Sequence, residues 1–323
     1  TQTGGQCRAS NYYPVIRKAL VDAGFEQVPV ISAAMSSNVR SNQPGFKLDF
    51  KNIAVIAFDA ILFGDCLSKL YHSTAVRIEN PSLALDLKNQ YLQKAKPIVL
   101  EKDRKGLIAL LKNAVKEFNK LLPEEYLERK KVGIVGEIFL KFHPFANQNI
   151  VAWLMSQKIE VIPPTLTPFM TQFFVNRDSK LENNVDTSSI PNPIMKLLYV
   201  LVKKEIEKFN NIISKFKYYS PIEDIYELAD EVKNIIPLIA QFGEGWVLPA
   251  EIVSLARNKA DGVISLQPFG CIANHIISKG VENKIKQLYP DLSLLSLDFD
   301  SGVSEVNVVN RLMLLKDSMS KKA

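Results

Sequence analysis

Apolar residues recur along this chain with two periods, and the switches between them divide it into two modules. From Thr1 to about residue 128 the helical period dominates. "YYPVIRKALVDAGF" reads as a helix that Ser10 or Asn11 can cap and Gly24 stops. "QVPVISAAM" breaks the pattern as a short β-branched run between turn residues, and a buried strand is expected there. "FKNIAVIAFDAILFGDCLSKLYHSTAVRI", "LALDLKNQYLQKAKPIVL" and "KGLIALLKNAVKEFNKLL" return to helical spacing. Pro123 and the charged "EEYLERKK" then read as a linker.

Residues 129–323 alternate short apolar runs with helices. "KVGIVGEIF", "IEVIPP", "DGVISLQPF" and "LSLLSLDFD" are expected strands, rich in Val, Ile and Leu and closed by Gly, Pro or Asp. "HPFANQNIVAWLMSQ", "GEGWVLPAEIVSLARNKA", "GCIANHIISKGVENKIKQLY" and "SEVNVVNRLMLLKDSMSKK" are the loops and helices between and after them, and a helical insertion occupies about 190–240. A strand, helix and strand in succession favour a parallel sheet with helices on both faces. The expected class is α/β, with two Rossmann-like lobes and a large helical content. The first lobe (1–128) is incomplete at its N-terminus, where its helix lacks a preceding strand.

Composition bounds the function. The chain has 323 residues, 23% of them charged, which is an ordinary globular balance with ample core. No apolar run reaches the roughly 18–20 residues that span a bilayer, and no signal-peptide pattern opens the chain, so a cytoplasmic protein is expected. The net charge of +6 is spread over mixed Lys/Glu faces, without the basic, aromatic-interleaved stripe of a nucleic-acid binder. An anionic small molecule such as a nucleotide or CoA remains compatible with it.

Chemistry concentrates at the cysteines. Three of them, with no CxxC, exclude a disulfide framework and any standard zinc pattern. Cys66 lies in a long apolar helix and is expected to be core. Cys7 ("TGGQCRAS") and Cys271 ("PFGCIANH") both sit in glycine turns that open helices, where backbone amides favour a thiolate. Their matching settings suggest convergence on one site, suited to soft-metal chemistry such as an iron–sulfur cluster; the bland alternative is two partly buried thiols. His275, four residues past Cys271, is a metal ligand or a hydrogen-bonded structural residue. In an open parallel sheet, ligands bind where loops leave the carboxyl ends of strands. That places Glu137 as a candidate acid/base or a solvated strand end; Ser10, Asn11, Asn147, Asn149, Asn274 and His275 are candidate cofactor-binding residues lining the cleft, although Ser10, Asn11 and Asn274 read first as helix caps. Glu244 and Glu251 have no role deducible from sequence. Asp298 and Asp300 of "DFDSG" either face a ligand or form a routine turn.

The blocks "TQTGGQCRASNYYPVIRKALVDAGFEQVPVIS", "VGIVGEIFLKFHPFANQN", "GEGWVLPAEIVSLARNKADGVISLQPFGCIANHIISKG" and "LDFDSGVSEVNVVNRLMLL" resemble the 2-hydroxyacyl-CoA dehydratase superfamily. The similarity is greatest to the C-terminal, dehydratase-like region of large proteins fused to activator-type ATPase domains. The resemblance implies Rossmann-like lobes and an oxygen-sensitive iron–sulfur cluster held by cysteines from separate loops, with Cys7 and Cys271 on two ligand positions. It also implies an ATP-hydrolysing activator, in cis or in trans, that delivers one electron for radical dehydration or reduction of an acyl-CoA or similar substrate. The alternative is a non-catalytic docking or electron-relay module. The family's further cluster cysteine precedes the Gly-Gly-Gln-Cys turn, and no Walker-type loop occurs in this sequence, so the expectation is a C-terminal fragment, inactive alone.

Overall fold

The computed structural model describes residues 11–31, 49–185, 190–300 and 302–320. Among those residues the regular elements of the first part are all helices. α1 (Tyr12–Asp22) buries none of its side chains. α2 (Phe50–Ala75), α3 (Pro81–Leu100) and α4 (Arg104–Leu121) each begin at a side-chain cap, with Asp49, Asn80 and Asp103 accepting from the backbone amides of Asn52, Ser82 and Gly106. These caps satisfy amides that the first helical turn leaves open. The expected strand at 27–35 is not found over 27–31, which is turn and irregular backbone; the remainder lies outside the described residues.

The apolar stripes of α2, α3 and α4 meet through Leu62, Leu67, Tyr91, Leu107, Leu111 and Phe118. Their core is completed by α8 (Asn192–Ile213), which contributes Ile206, Phe209 and Ile213. The insertion expected at about 190–240 is therefore divided. α8 belongs with α2–α4, whereas α9 (Ile225–Val232) packs with α7 (Thr167–Glu182) and α10 (Val247–Arg257) around Val175, Leu228 and the fully buried Trp246.

The fold class is α/β, as the sequence pattern predicts. β1 (Lys131–Gly136), β2 (Glu160–Ile162), β3 (Gly262–Pro268) and β4 (Ser293–Phe299) form one all-parallel sheet in the order β2-β1-β3-β4, the single sheet among the described residues. Each strand falls within the run expected for it. Alternate residues serve opposite faces. Ile134, Ile264 and Leu297 pack on α6 (Ile150–Ser156) and α12 (Glu305–Ser320). Val135 and Val263 pack on α10 and α11 (Glu282–Leu288). No helix among the described residues is long and apolar enough to cross a membrane.

This strand order has one consequence for function. The chain leaves β1 toward β2 on one side, then crosses back to place β3 on the other, so the connections diverge between the carboxyl ends of β1 and β3. A crevice opens at such a divergence.

Candidate functional site

Gly136 ends β1 at the divergence with φ of +126°, and a Cβ there would stand 2.0 Å from the Leu266 carbonyl oxygen. Only glycine permits this approach, which Glu137 N seals by donating to Leu266 O at 2.8 Å. The chain then turns into a short helix, α5 (Ile138–Phe142). Glu137 is the cap of that helix, its carboxylate accepting from Leu140 N at 3.0 Å. Glu244 accepts from Ile138 N at 2.9 Å, and Glu251 is paired with Lys141 at 3.3 Å. The two carboxylates whose role sequence left open therefore fasten α5 to the start of α10. Burial raises both their pKa values, and the nearby Lys141 ammonium opposes the shift.

Beyond α5, Gln148 and Asn149 both take left-handed backbone conformations (φ 54° and 55°). Asn149 stands at the N-cap of α6 without a side-chain capping bond. Asn147 is 2% exposed and donates to Leu140 O at 2.8 Å. Gln148 donates to Val303 O at 3.2 Å.

The loop after β3 carries Cys271. Gly270 (φ +75°) turns the chain, Cys271 N donates to Pro268 O at 3.1 Å, and a short π-helical segment (Ala273–Ser278) follows. The Cys271 thiol is half-buried and receives a hydrogen bond from Asn274 Nδ2 at 3.2 Å. Amide donors aimed at sulfur stabilise its anionic form. π-Helical turns recur at functional sites. Cys66, in contrast, is fully buried in α2, and burial pushes its thiol pKa far up, the inert state expected of a core cysteine.

His275 is held by β4. Its Nε2 lies 2.6 Å from Asp298 Oδ1, which also accepts from Gln267 Nε2 at 2.6 Å. Gln267 and Asp298 are register partners across β3 and β4. Burial works to raise the Asp298 pKa, but hydrogen bonds from His275 and Gln267, with the Lys279 ammonium nearby, outweigh it and hold the group below the usual aspartate range. An ionised carboxylate only accepts, so His275 Nε2 carries a proton in this pair, which leaves Nδ1 as the ring nitrogen free to meet another group. That nitrogen is buried without a partner. A carboxylate gripping one ring nitrogen is how proteins orient a histidine whose other nitrogen binds something. Asp300 is a turn former, accepting from Gly302 N at 2.8 Å.

Unsatisfied polar atoms concentrate here. Of the nine side-chain atoms buried without a hydrogen bond among the described residues, five, Asn147 Oδ1, Gln148 Oε1, Gln267 Oε1, Asn274 Oδ1 and His275 Nδ1, belong to the β1 and β3 ends or the segments that follow them. Each such atom costs about 1–3 kcal/mol in a folded protein, so a cluster of them marks a place built for something other than stability.

The structure thus brings Cys271, Asn274 and His275 together, and places Glu137, Asn147 and Asn149 in the loop that leaves β1. Cys7 and Ser10 lie outside the described residues. Asn11 opens α1 as an exposed residue without a side-chain cap bond. Sequence reasoning missed Gln267 and Gln148. Gln267 carried a readable signal, being the single amide in the apolar run "GVISLQP"; Gln148 carried none.

An iron–sulfur cluster needs about four ligands, mostly thiolates. Among the described residues no group of three or more His, Cys, Asp or Glu side chains is placed to hold a metal ion, and Cys271 is the one thiol at this edge. These residues do not hold a cluster by themselves. No family model, curated protein or solved structure matches this chain.

Proposed function

We propose that this chain is an electron-accepting module of the 2-hydroxyacyl-CoA dehydratase type, in which Cys271 supplies one thiolate to an iron–sulfur cluster completed by Cys7 and by ligands from elsewhere. The observation that carries the reading is the setting of Cys271. It is a half-buried thiol at the divergence of a parallel sheet, with an amide donor on its sulfur and unsatisfied polar atoms in the surrounding loops. Bound there, such a cluster would supply the one-electron chemistry that reduction or dehydration of an acyl-CoA thioester by an ATP-driven activator system requires. This chain's own residues orient the site: Asn274 donates to the Cys271 sulfur, Asp298 and Gln267 fix the His275 ring, and Glu137 with Glu244 holds the β1 loop in place.

A second reading, a non-catalytic docking or electron-relay module, is favoured by the apolar side chains these loops expose. Phe145, Phe269 and Ile276 are 86%, 74% and 67% exposed. Single-turnover assays of the anaerobic protein with reduced activator across a panel of CoA thioesters divide the two. Product formation is the expected result for the first reading. Electron uptake with no turnover on any thioester leaves the relay, and failure to take up an electron removes both.

A further inference from the structure

A cavity of about 240 Å³, whose lining includes none of the residues of the Cys271 loop, lies between α2, the loop after β2, the segment joining α8 to α9, and α10. It is far larger than the about 10–15 Å³ one water requires and somewhat below the about 300–1,000 Å³ of drug-sized sites. Most of its charged walls are spoken for. Glu160 is bonded to Arg77 at 2.6 Å, Glu251 to Lys141 at 3.3 Å, and the Lys217 ammonium to three carbonyls, those of Pro123, Glu124 and Glu125. Lys131 has no ion pair among the described residues but is partly open to solvent.

Two groups remain. Lys69 is 8% exposed, and its ammonium makes one hydrogen bond, to Ser220 Oγ at 3.3 Å, with no carboxylate within 4.0 Å among the described residues. Glu223 receives Ser254 Oγ and Asn258 Nδ2 on a single oxygen, Oε1, leaving Oε2 without a hydrogen bond from any described residue. Each group favours the other's charged form across the gap, yet they do not touch. A buried ammonium and a half-buried carboxylate held apart on one cavity wall leave part of their desolvation penalty uncompensated. A molecule carrying the opposite pair of charges would relieve it. Ile162, Pro164, Pro168 and Leu255 supply apolar wall beside them.

We infer that this cavity binds a small zwitterion, an α-amino acid whose carboxylate meets Lys69 and Ser220 and whose ammonium meets Glu223. The site shares no residue with the Cys271 loop and does not depend on the function proposed for it. The test uses the full chain. Each of the twenty standard L-amino acids is screened singly by thermal shift, and positives are titrated calorimetrically against wild type, Lys69→Met and Glu223→Gln. At least one amino acid is expected to raise Tm, with Kd weakened tenfold or more in both variants. Its des-amino carboxylate should bind more weakly than the amino acid and be indifferent to Glu223→Gln. Circular dichroism establishes that the variants are folded, and Glu223→Gln, which preserves shape, carries the test if Lys69→Met is not. Absence of binding by every amino acid overturns the inference, as does a Kd unchanged in both variants. Loss in Lys69→Met with Glu223→Gln unchanged overturns it in favour of a plain carboxylate site.

Discussion

Arg77 is the fastener between the helical part and the sheet, and its removal has a calculable cost. Its side chain is fully buried, as is most of Glu160 at the start of β2 (0% and 7% exposed). The guanidinium bonds Glu160 at 2.6 Å, the Ser73 carbonyl at 2.7 Å and the Leu127 carbonyl at 2.9 Å, and stacks 3.7 Å from the Tyr218 ring centre. Arg77→Ala strands the Glu160 carboxylate with the Ser73 hydroxyl and leaves two carbonyls without their donor. Breaking a buried pair from one side costs about 3–5 kcal/mol, whereas an exposed pair is worth about 0–1 kcal/mol. Urea unfolding should place Arg77→Ala near 4 kcal/mol less stable, about a 1.3 M drop in midpoint at a slope of about 3 kcal/mol per molar. The double replacement Arg77→Met with Glu160→Leu removes both charges and should recover much of the loss, giving a coupling energy of at least about 3 kcal/mol. Both tryptophans, Trp153 and Trp246, lie outside the α2–α4 and α8 core, so fluorescence reports the sheet part while circular dichroism is weighted toward the helices. In Arg77→Ala the two transitions should separate. A cost below about 1 kcal/mol, or single mutants whose effects simply add, would refute the reasoning.

Two further outcomes follow from local geometry. Gly136→Ala forces a Cβ against the Leu266 carbonyl at a backbone angle L-residues avoid, and should cost about 3 kcal/mol or more, whereas Gly280→Ala meets nothing within 4 Å and should shift stability by under about 1 kcal/mol; thermal melts compare them. His72 donates to Ser68 O and is held neutral by burial, which lowers its pKa to about 4 against that hydrogen bond. The unfolded chain therefore binds the extra proton between about pH 6.5 and 4, so stability falls on acidification through that window and is flat above it. The difference between wild type and His72→Leu should change by about 3 kcal/mol across the window, and a difference independent of pH contradicts the assignment.

How much of this was legible beforehand depends on which interactions are local. Strands such as "KVGIVG" and "GVISLQP" are buried on both faces, so their runs of Val, Ile and Leu are visible without knowing what covers them. Cys66 was readable as core for the same reason. The amphipathic stripe of α8 announces that something covers it, but not that α2–α4 do. Arg77, Lys69 and Glu160 look like ordinary charged positions, because helical spacing does not reveal that the opposite face of α2 is also covered. Glu137 and Glu244 were visible as carboxylates near turns; that both accept from the first amides of α5 required the backbone path. The expected 27–35 strand shows the limit of a β-branched run: its described portion pairs with nothing and is not a strand.

The central claim is that Cys271 ligates a cluster at the β1–β3 divergence. It is tested most directly by anaerobic iron–sulfide reconstitution, in the presence of an ATP-driven activator of the dehydratase type, comparing wild type with Cys271→Ser by iron content, visible absorption and EPR of the reduced state. The account predicts a reducible cluster in wild type and at least a tenfold loss of bound iron in Cys271→Ser, with Cys66→Ser unchanged. A wild type without a cluster, or a Cys271→Ser variant that retains one, contradicts it.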